Sequence, residues 1–236
     1  MSVADPQPAM PKPTRRWPRY VRWAILAVVL ISMPCGLAIA VRRGPVIVVQ
    51  ASQRWSAGLS HELQSFPLSK TVPSTDPPFV IDAAKPWKIE LGRGSGRDGL
   101  DTAALTHDGT VLLYRLTRKP TSGARGASWE TAEMALPHEA VSSILAAAAE
   151  NRLLKLERAY HADVRDGTQW VLRISQGTNE KSVYFDNHFP GAIVRFADLL
   201  DAVLARNGVG TVRWEPVPAG QGRKHEKGLW DSIKQQ

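Results

Sequence analysis

Five ionisable side chains flank one pair of apolar runs. His161, Asp163 and Asp166 precede the run 169–175, and Asp186 and His188 end the run 181–186. If those runs pair as a hairpin, its two ends meet. Two imidazoles with carboxylates beside them would then suit a metal ion such as zinc, and a metal-bound water would suit hydrolysis. His161, Asp163, Asp186 and His188 are therefore the candidate metal ligands. The set matches no spaced metal motif, and charged residues at hairpin ends commonly serve as solvated turns.

Other chemistry is thinner. Gly94, Gly96 and Gly99 fit a G-x-G-x-x-G pattern. A dinucleotide site needs a helix directly after it, and the residues here run instead into the Asp108-Gly109 turn. The stretch reads as a glycine and arginine loop, with Arg93 and Arg97 as anion contacts. No G-x-S-x-G occurs, and the one cysteine, Cys35, lies in an apolar run, which excludes an internal disulfide and a cysteine-based zinc site. Trp129, Trp170 and Trp214 suggest a stacking surface, although tryptophans in strands more often pack a sheet. No catalytic residue and no cofactor site is assigned.

The elements that would position these groups follow from periodicity. Residues 87–91, 101–106, 110–116 and 128–136 read as strands, with His107-Asp108-Gly109 as a hairpin turn. Pro137 opens a helix whose Val141, Ile144, Leu145 and Ala148 share a face. Residues 169–175 and 181–186 form a second hairpin through Gly177-Thr178-Asn179. Pro190 opens the strongest helix, with Ile193, Phe196, Ala197, Leu200 and Leu204 inward and Arg195, Asp198 and Asp201 off that face. A closing strand is expected over 211–215. The expected fold is α+β: a small antiparallel sheet with two helices packed on one face.

Residues 23–41 contain no charge and span about 28 Å as a helix, enough to cross a bilayer. Trp23 and Val41 bound this expected anchor, and Pro34 would kink it. Arg15, Arg16, Arg19 and Arg22 precede it and only Arg42 and Arg43 follow closely, so the N-terminus is expected in the cytoplasm. Trp17, Tyr20 and Trp23 suit an interfacial belt. Cleavage after Ala40 is the main rival reading, through Ala38-x-Ala40. Lipoprotein processing at Cys35 is disfavoured by Met33-Pro34 before it.

The net charge of +8 suggests nucleic acid until it is divided along the chain. Residues 1–22 hold five basic residues against one acid, whereas 85–215 hold seventeen against sixteen. No domain-scale basic face remains, so no nucleic-acid partner is expected.

The domain organisation is thus a cytoplasmic tail over 1–22, the transmembrane helix 23–41, a juxtamembrane and proline-rich spacer over 42–86, an α+β domain over 87–215, and a flexible tail over 216–236. Within the spacer, Val49, Trp55, Leu59, Leu63 and Phe66 suggest a short helix. In the tail, Leu229, Trp230 and Ile233 suggest an amphipathic tip.

Residues 89–206 resemble a family of small bacterial extracytoplasmic domains of unknown function found behind a membrane anchor or export signal. The resemblance rests on Ile89-Glu90-Leu91 leading to Arg93, on Asp108-Gly109-Thr110-Val111, and on the Pro137 helix. Tyr160 with Asp163, Asp166-Gly167-Thr168, and the Val183 strand entering the Pro190 helix extend it. It implies a periplasmic or extracellular domain on the bacterial inner membrane and assigns no activity. The expected function is a membrane-anchored binding or interaction domain, with lipid and a protein as partners. The alternatives are the metal-dependent hydrolase above and an accessory subunit of a membrane complex, contacting its partner through Gly36, Ala38 and Ala40.

Overall fold

A computed structural model of the chain describes residues 47–49, 63–95, 98–118 and 127–234. The chain divides into two units, Met1–Gly44 and Pro45–Gln236, and every described residue belongs to the second. The expected tail 1–22 and anchor 23–41, with Trp23, Pro34, Val41 and the four arginines before them, lie outside the described residues. Among the described residues no helix is long and apolar enough to cross a membrane.

The strands dominate because β-branched and apolar residues alternate between turn signals. Strands β1 (Ile47–Val49) and β2 (Leu63–Ser65) pair antiparallel as a separate two-stranded sheet. The spacer helix expected over this stretch is thus strand at both ends, as the run Ile47-Val48-Val49 favours. The remaining strands are β3 (Leu68–Val72), β4 (Lys88–Ser95), β5 (Gly99–Thr106), β6 (Thr110–Arg118), β7 (Ala127–Ala135), β8 (Ala159–Ala162), β9 (Gln169–Gln176), β10 (Asn179–Asp186) and β11 (Glu215–Pro216). They form one sheet in the order β11-β7-β6-β5-β4-β9-β10-β8-β3.

The fold class is α+β as expected, but the sheet is large and mixed rather than small and antiparallel. Strand β8 runs parallel to β10, pairing His161 with Asp186. Hairpin logic alone accounts only for the antiparallel pairs, because β8 and β10 are not joined by a tight turn. The Asp108 turn behaves as expected: Gly109 has φ 88° and Asp108 accepts from Thr106 Oγ1 at 2.6 Å and from the Thr110 amide at 3.1 Å.

Three helices cover the sheet: α1 (His138–Glu150), α2 (Gly191–Arg206) and α3 (Lys224–Lys234). Pro137 and Pro190 cap α1 and α2 from just outside rather than occupying their first turns. Val141, Ile144 and Ala148 are buried on α1, as are all five residues expected to face inward on α2. They pack on Ile89, Leu91, Leu113, Leu172, Val183 and Phe185.

Two stretches expected to be extended or flexible are built into the fold. The proline-rich spacer supplies β3, which pairs with β8 as an edge of the sheet. The tail supplies α3, which lies on the opposite face from α1 and α2. Leu229 of α3 packs with Leu100 and Val171, whose neighbours Trp170 and Leu172 face the other core. The expectation that helices cover one face alone is therefore corrected. The cause is the alternation of side chains along β9 and β10, which turns Val171 and Tyr184 away from the main core and gives a second apolar strip that α3 covers. Of the expected strand over 211–215, Thr211 ends a 3-10 turn (Val209–Thr211), 212–214 are irregular, and strand pairing occurs only at Glu215–Pro216.

Candidate functional site

The parallel β8–β10 register brings His161 and Asp186 together, with Nδ1 and Oδ2 3.4 Å apart. Both side chains are about three-tenths or less exposed. Tyr184 meets the His161 ring edge-on at 5.6 Å, and burial, then the Asp186 charge, pushes its phenol well above its ordinary range. Asn187, itself buried and at φ 58°, donates to the second Asp186 oxygen at 3.0 Å and accepts from the Thr168 amide at 2.9 Å. Asp186 is thus held from two sides.

The other two expected ligands do not join this pair. His188 donates from Nδ1 to the Phe66 carbonyl at 2.8 Å and faces Tyr160. Asp163 is exposed, as is Asp166, which turns the chain at φ 56°. Among the described residues no group of three or more His, Cys, Asp or Glu is placed to hold a metal ion. What the geometry offers is an oriented histidine: a carboxylate beside one ring nitrogen fixes the tautomer and the ring's orientation.

The glycine-rich stretch is a hairpin. Ser95 pairs with Gly99 across the β4–β5 ladder, and β5, not a helix, follows. The tryptophans do not share a surface. Trp170 is fully buried against Phe189, Trp129 is covered by His225 of α3, and Trp214 carries the Arg115 guanidinium 4.0 Å above its ring.

A larger feature sits at the end of α1. There a cleft of about 580 Å³ opens between the segment 78–81, the last turn of α1 and the 3-10 turn Leu153–Lys155. Phe79, Ile81, Leu145, Ala148 and Leu154 supply apolar walls, and Arg152 and Lys155 line the same cleft. Its volume lies within the roughly 300–1,000 Å³ typical of small-molecule sites. Val80, on the rim of the same cleft, is 88% exposed.

The cleft is built by fixed parts. Leu145 belongs to the apolar stripe of α1 but stays half-buried, because it packs at the edge of the core where the cleft opens. Arg152 adopts φ 53°, which turns the chain sharply off the helix; its amide donates to the Ala149 carbonyl at 2.9 Å. Asn151 accepts from Arg195 of α2 at 2.9 Å and ties the same end down. Opposite, the segment 74–82 is pinned to the sheet. Lys181 of β10, 2% exposed, bonds Ser74 and lies 3.3 Å from Asp76. Gln176 of β9 exchanges hydrogen bonds with the Asp82 backbone at 2.9 and 2.8 Å.

Sequence reading missed this site because it treated the prolines as a spacer. The available signal was the run Phe79-Val80-Ile81 after Pro77-Pro78, an apolar patch that a solvated linker would not carry. No protein-family model matches the chain, and no curated protein matches it.

Proposed function

We propose that this chain is a membrane-tethered extracytoplasmic binding module, and that the cleft at the end of α1 receives an apolar ligand. The cleft carries this reading: it is concave and apolar, and both walls are anchored by hydrogen bonds before any ligand arrives. Pre-formed walls limit the ordering cost of binding. The charge-free run 23–41 with its arginine flank supports the tether and the export of the C-terminal domain from the bacterial inner membrane. The resemblance of 89–206 to anchored extracytoplasmic domains supports the same compartment.

Binding is tested with the full chain in phosphatidylcholine nanodiscs and an uncharged probe, a medium-chain alcohol bearing a photoreactive diazirine. Peptides holding Phe79 and Leu154 are expected to be labelled after irradiation. Labelling confined to other parts of the chain would overturn the binding site. Compartment is tested by a membrane-impermeant maleimide on intact cells expressing Thr178→Cys, an exposed turn position. Protection of that cysteine until the cells are lysed would sink the exported placement.

A further inference from the structure

The ligand class can be narrowed by the charges at the cleft. We infer that the site takes a monomeric anionic amphiphile with a single apolar chain, the chain between Phe79 and Leu145 and the acid group at Arg152 and Lys155. This rests on the binding reading above.

Three observations point there. First, the cleft lining combines apolar walls with two cations, and none of the described residues lining it is a carboxylate. Second, neither Arg152 nor Lys155 has a side-chain ion pair among the described residues, although other lysines of the same region do: Lys181 meets Asp76 at 3.3 Å and Lys85 meets Asp82 at 3.1 Å. Two exposed cations at one cleft leave a positive site that an acid group complements. Third, Arg152 is held in place. Its left-handed backbone, disfavoured for a residue with a side chain, is fixed by bonds from its own amide to the Ala149 carbonyl and from the Lys155 amide at 2.8 Å to its carbonyl. The guanidinium therefore starts from a fixed point beside the apolar wall, which favours bidentate capture of a carboxylate or phosphate.

The cations also lie beyond the C-terminal end of α1, where positive charge suits the helix dipole without any ligand. Experiment separates the two roles. The full chain in phosphatidylcholine nanodiscs is irradiated with a diazirine-bearing medium-chain carboxylate, and in parallel with the alcohol of equal length. Labelling of the cleft peptides is normalised to labelling of residues 23–41. The carboxylate is expected to label the cleft about tenfold more than the alcohol, the worth of one charge-assisted hydrogen bond. Arg152→Asn with Lys155→Gln, in which asparagine tolerates the left-handed backbone, is expected to bring the two probes level. Equal labelling by both probes in the unmodified chain would overturn the anionic specificity and leave the binding module standing. No cleft labelling by either probe would remove both.

Discussion

Arg93 and Asp201 form a two-pronged ion pair inside the core, with Nη1–Oδ2 at 3.0 Å, Nη2–Oδ1 at 2.6 Å and each side chain 2% exposed. Arg93 projects from β4 and Asp201 from α2, so the pair crosses the interface between the sheet and its longest helix. The Trp170 ring lies 5.5 Å below the guanidinium. Removing one partner strands a desolvated charge. Asp201→Ala is expected to destabilise the fold by about 3–5 kcal/mol, whereas Arg93→Met with Asp201→Leu is expected to recover most of that loss. Chemical denaturation of the three proteins measures it; a double variant as unstable as the single one would show that the pair itself fixes the helix.

The docking of α3 is expected to weaken in mild acid. His225 stacks on Tyr114 at 4.1 Å, meets Trp129 at 4.6 Å and places Nε2 3.2 Å from the Leu100 carbonyl. Burial, the largest cause, holds its imidazole below the ordinary histidine range; the Leu100 bond and Glu226 oppose this, and Arg223 adds to it. A depressed folded-state value means the docked state is fully favoured above about pH 6.5 and loses ground as pH falls below it, since the undocked imidazole takes the proton first. His225→Phe keeps a ring on Tyr114 and should flatten this dependence. Hydrogen exchange at the Leu100 amide, which donates to Glu226 at 2.7 Å, reads the docking directly. A protection factor at that amide, taken relative to the intrinsic exchange rate at each pH, that stays constant between pH 7.5 and pH 5.5, about one unit to either side of the histidine range, would contradict the assignment.

Gly92 is expected to be essential for the same helix. A Cβ built there would lie 2.9 Å from Leu100 Cδ1 and 3.0 Å from Leu229 Cδ1, so the strand can meet α3 only without a side chain. Gly92→Val should release α3 while leaving the α1–α2 core intact, because that core lies on the opposite face. Limited proteolysis should then cut within 216–234 far faster than in the parent chain, with the thermal transition of the remainder little changed. Equal protection of that stretch would refute the contact.

Helices α1 and α2 and the hairpins were legible because each repeats its apolar residues at its own period; the stripe Ile193, Phe196, Ala197, Leu200 and Leu204 needed no tertiary information. Asp201 was not. Its spacing, four residues after Ala197 and eight after Ile193, puts it on the inward stripe, but a carboxylate there reads as solvated, and only the arrival of Arg93 from a strand more than a hundred residues away accounts for its burial. The α3 helix was equally hidden, since Leu229 and Trp230 look like an isolated amphipathic tip until the second strip of the sheet, Val171 and Tyr184, is seen to need a cover. The parallel pairing that joins His161 to Asp186 follows from strand order, which local pattern does not encode. His188 looked equivalent to His161 in the sequence, yet its ring is committed to the Phe66 carbonyl, a partner far away along the chain.

Lys181 is expected to govern the cleft without touching its ligand. Its buried ammonium holds Ser74 and Asp76, and the Ser74 amide in turn donates to Glu157 at 3.0 Å, so Lys181 anchors the near end of the proline-rich segment while Gln176 holds its far end at Asp82. Lys181→Met preserves most of the buried apolar stem and removes the charge. Asp76 would then lose its cation, at a cost of about 1–3 kcal/mol. Because the same segment continues into Phe79 and Ile81, the loss should appear first as local opening rather than global unfolding. Amides within 74–82 should exchange faster, and diazirine labelling of the cleft should fall, while amides of β9 and α2 keep their protection. If labelling falls only in step with global unfolding, the cleft wall is no separate unit and its shape belongs to the core as a whole.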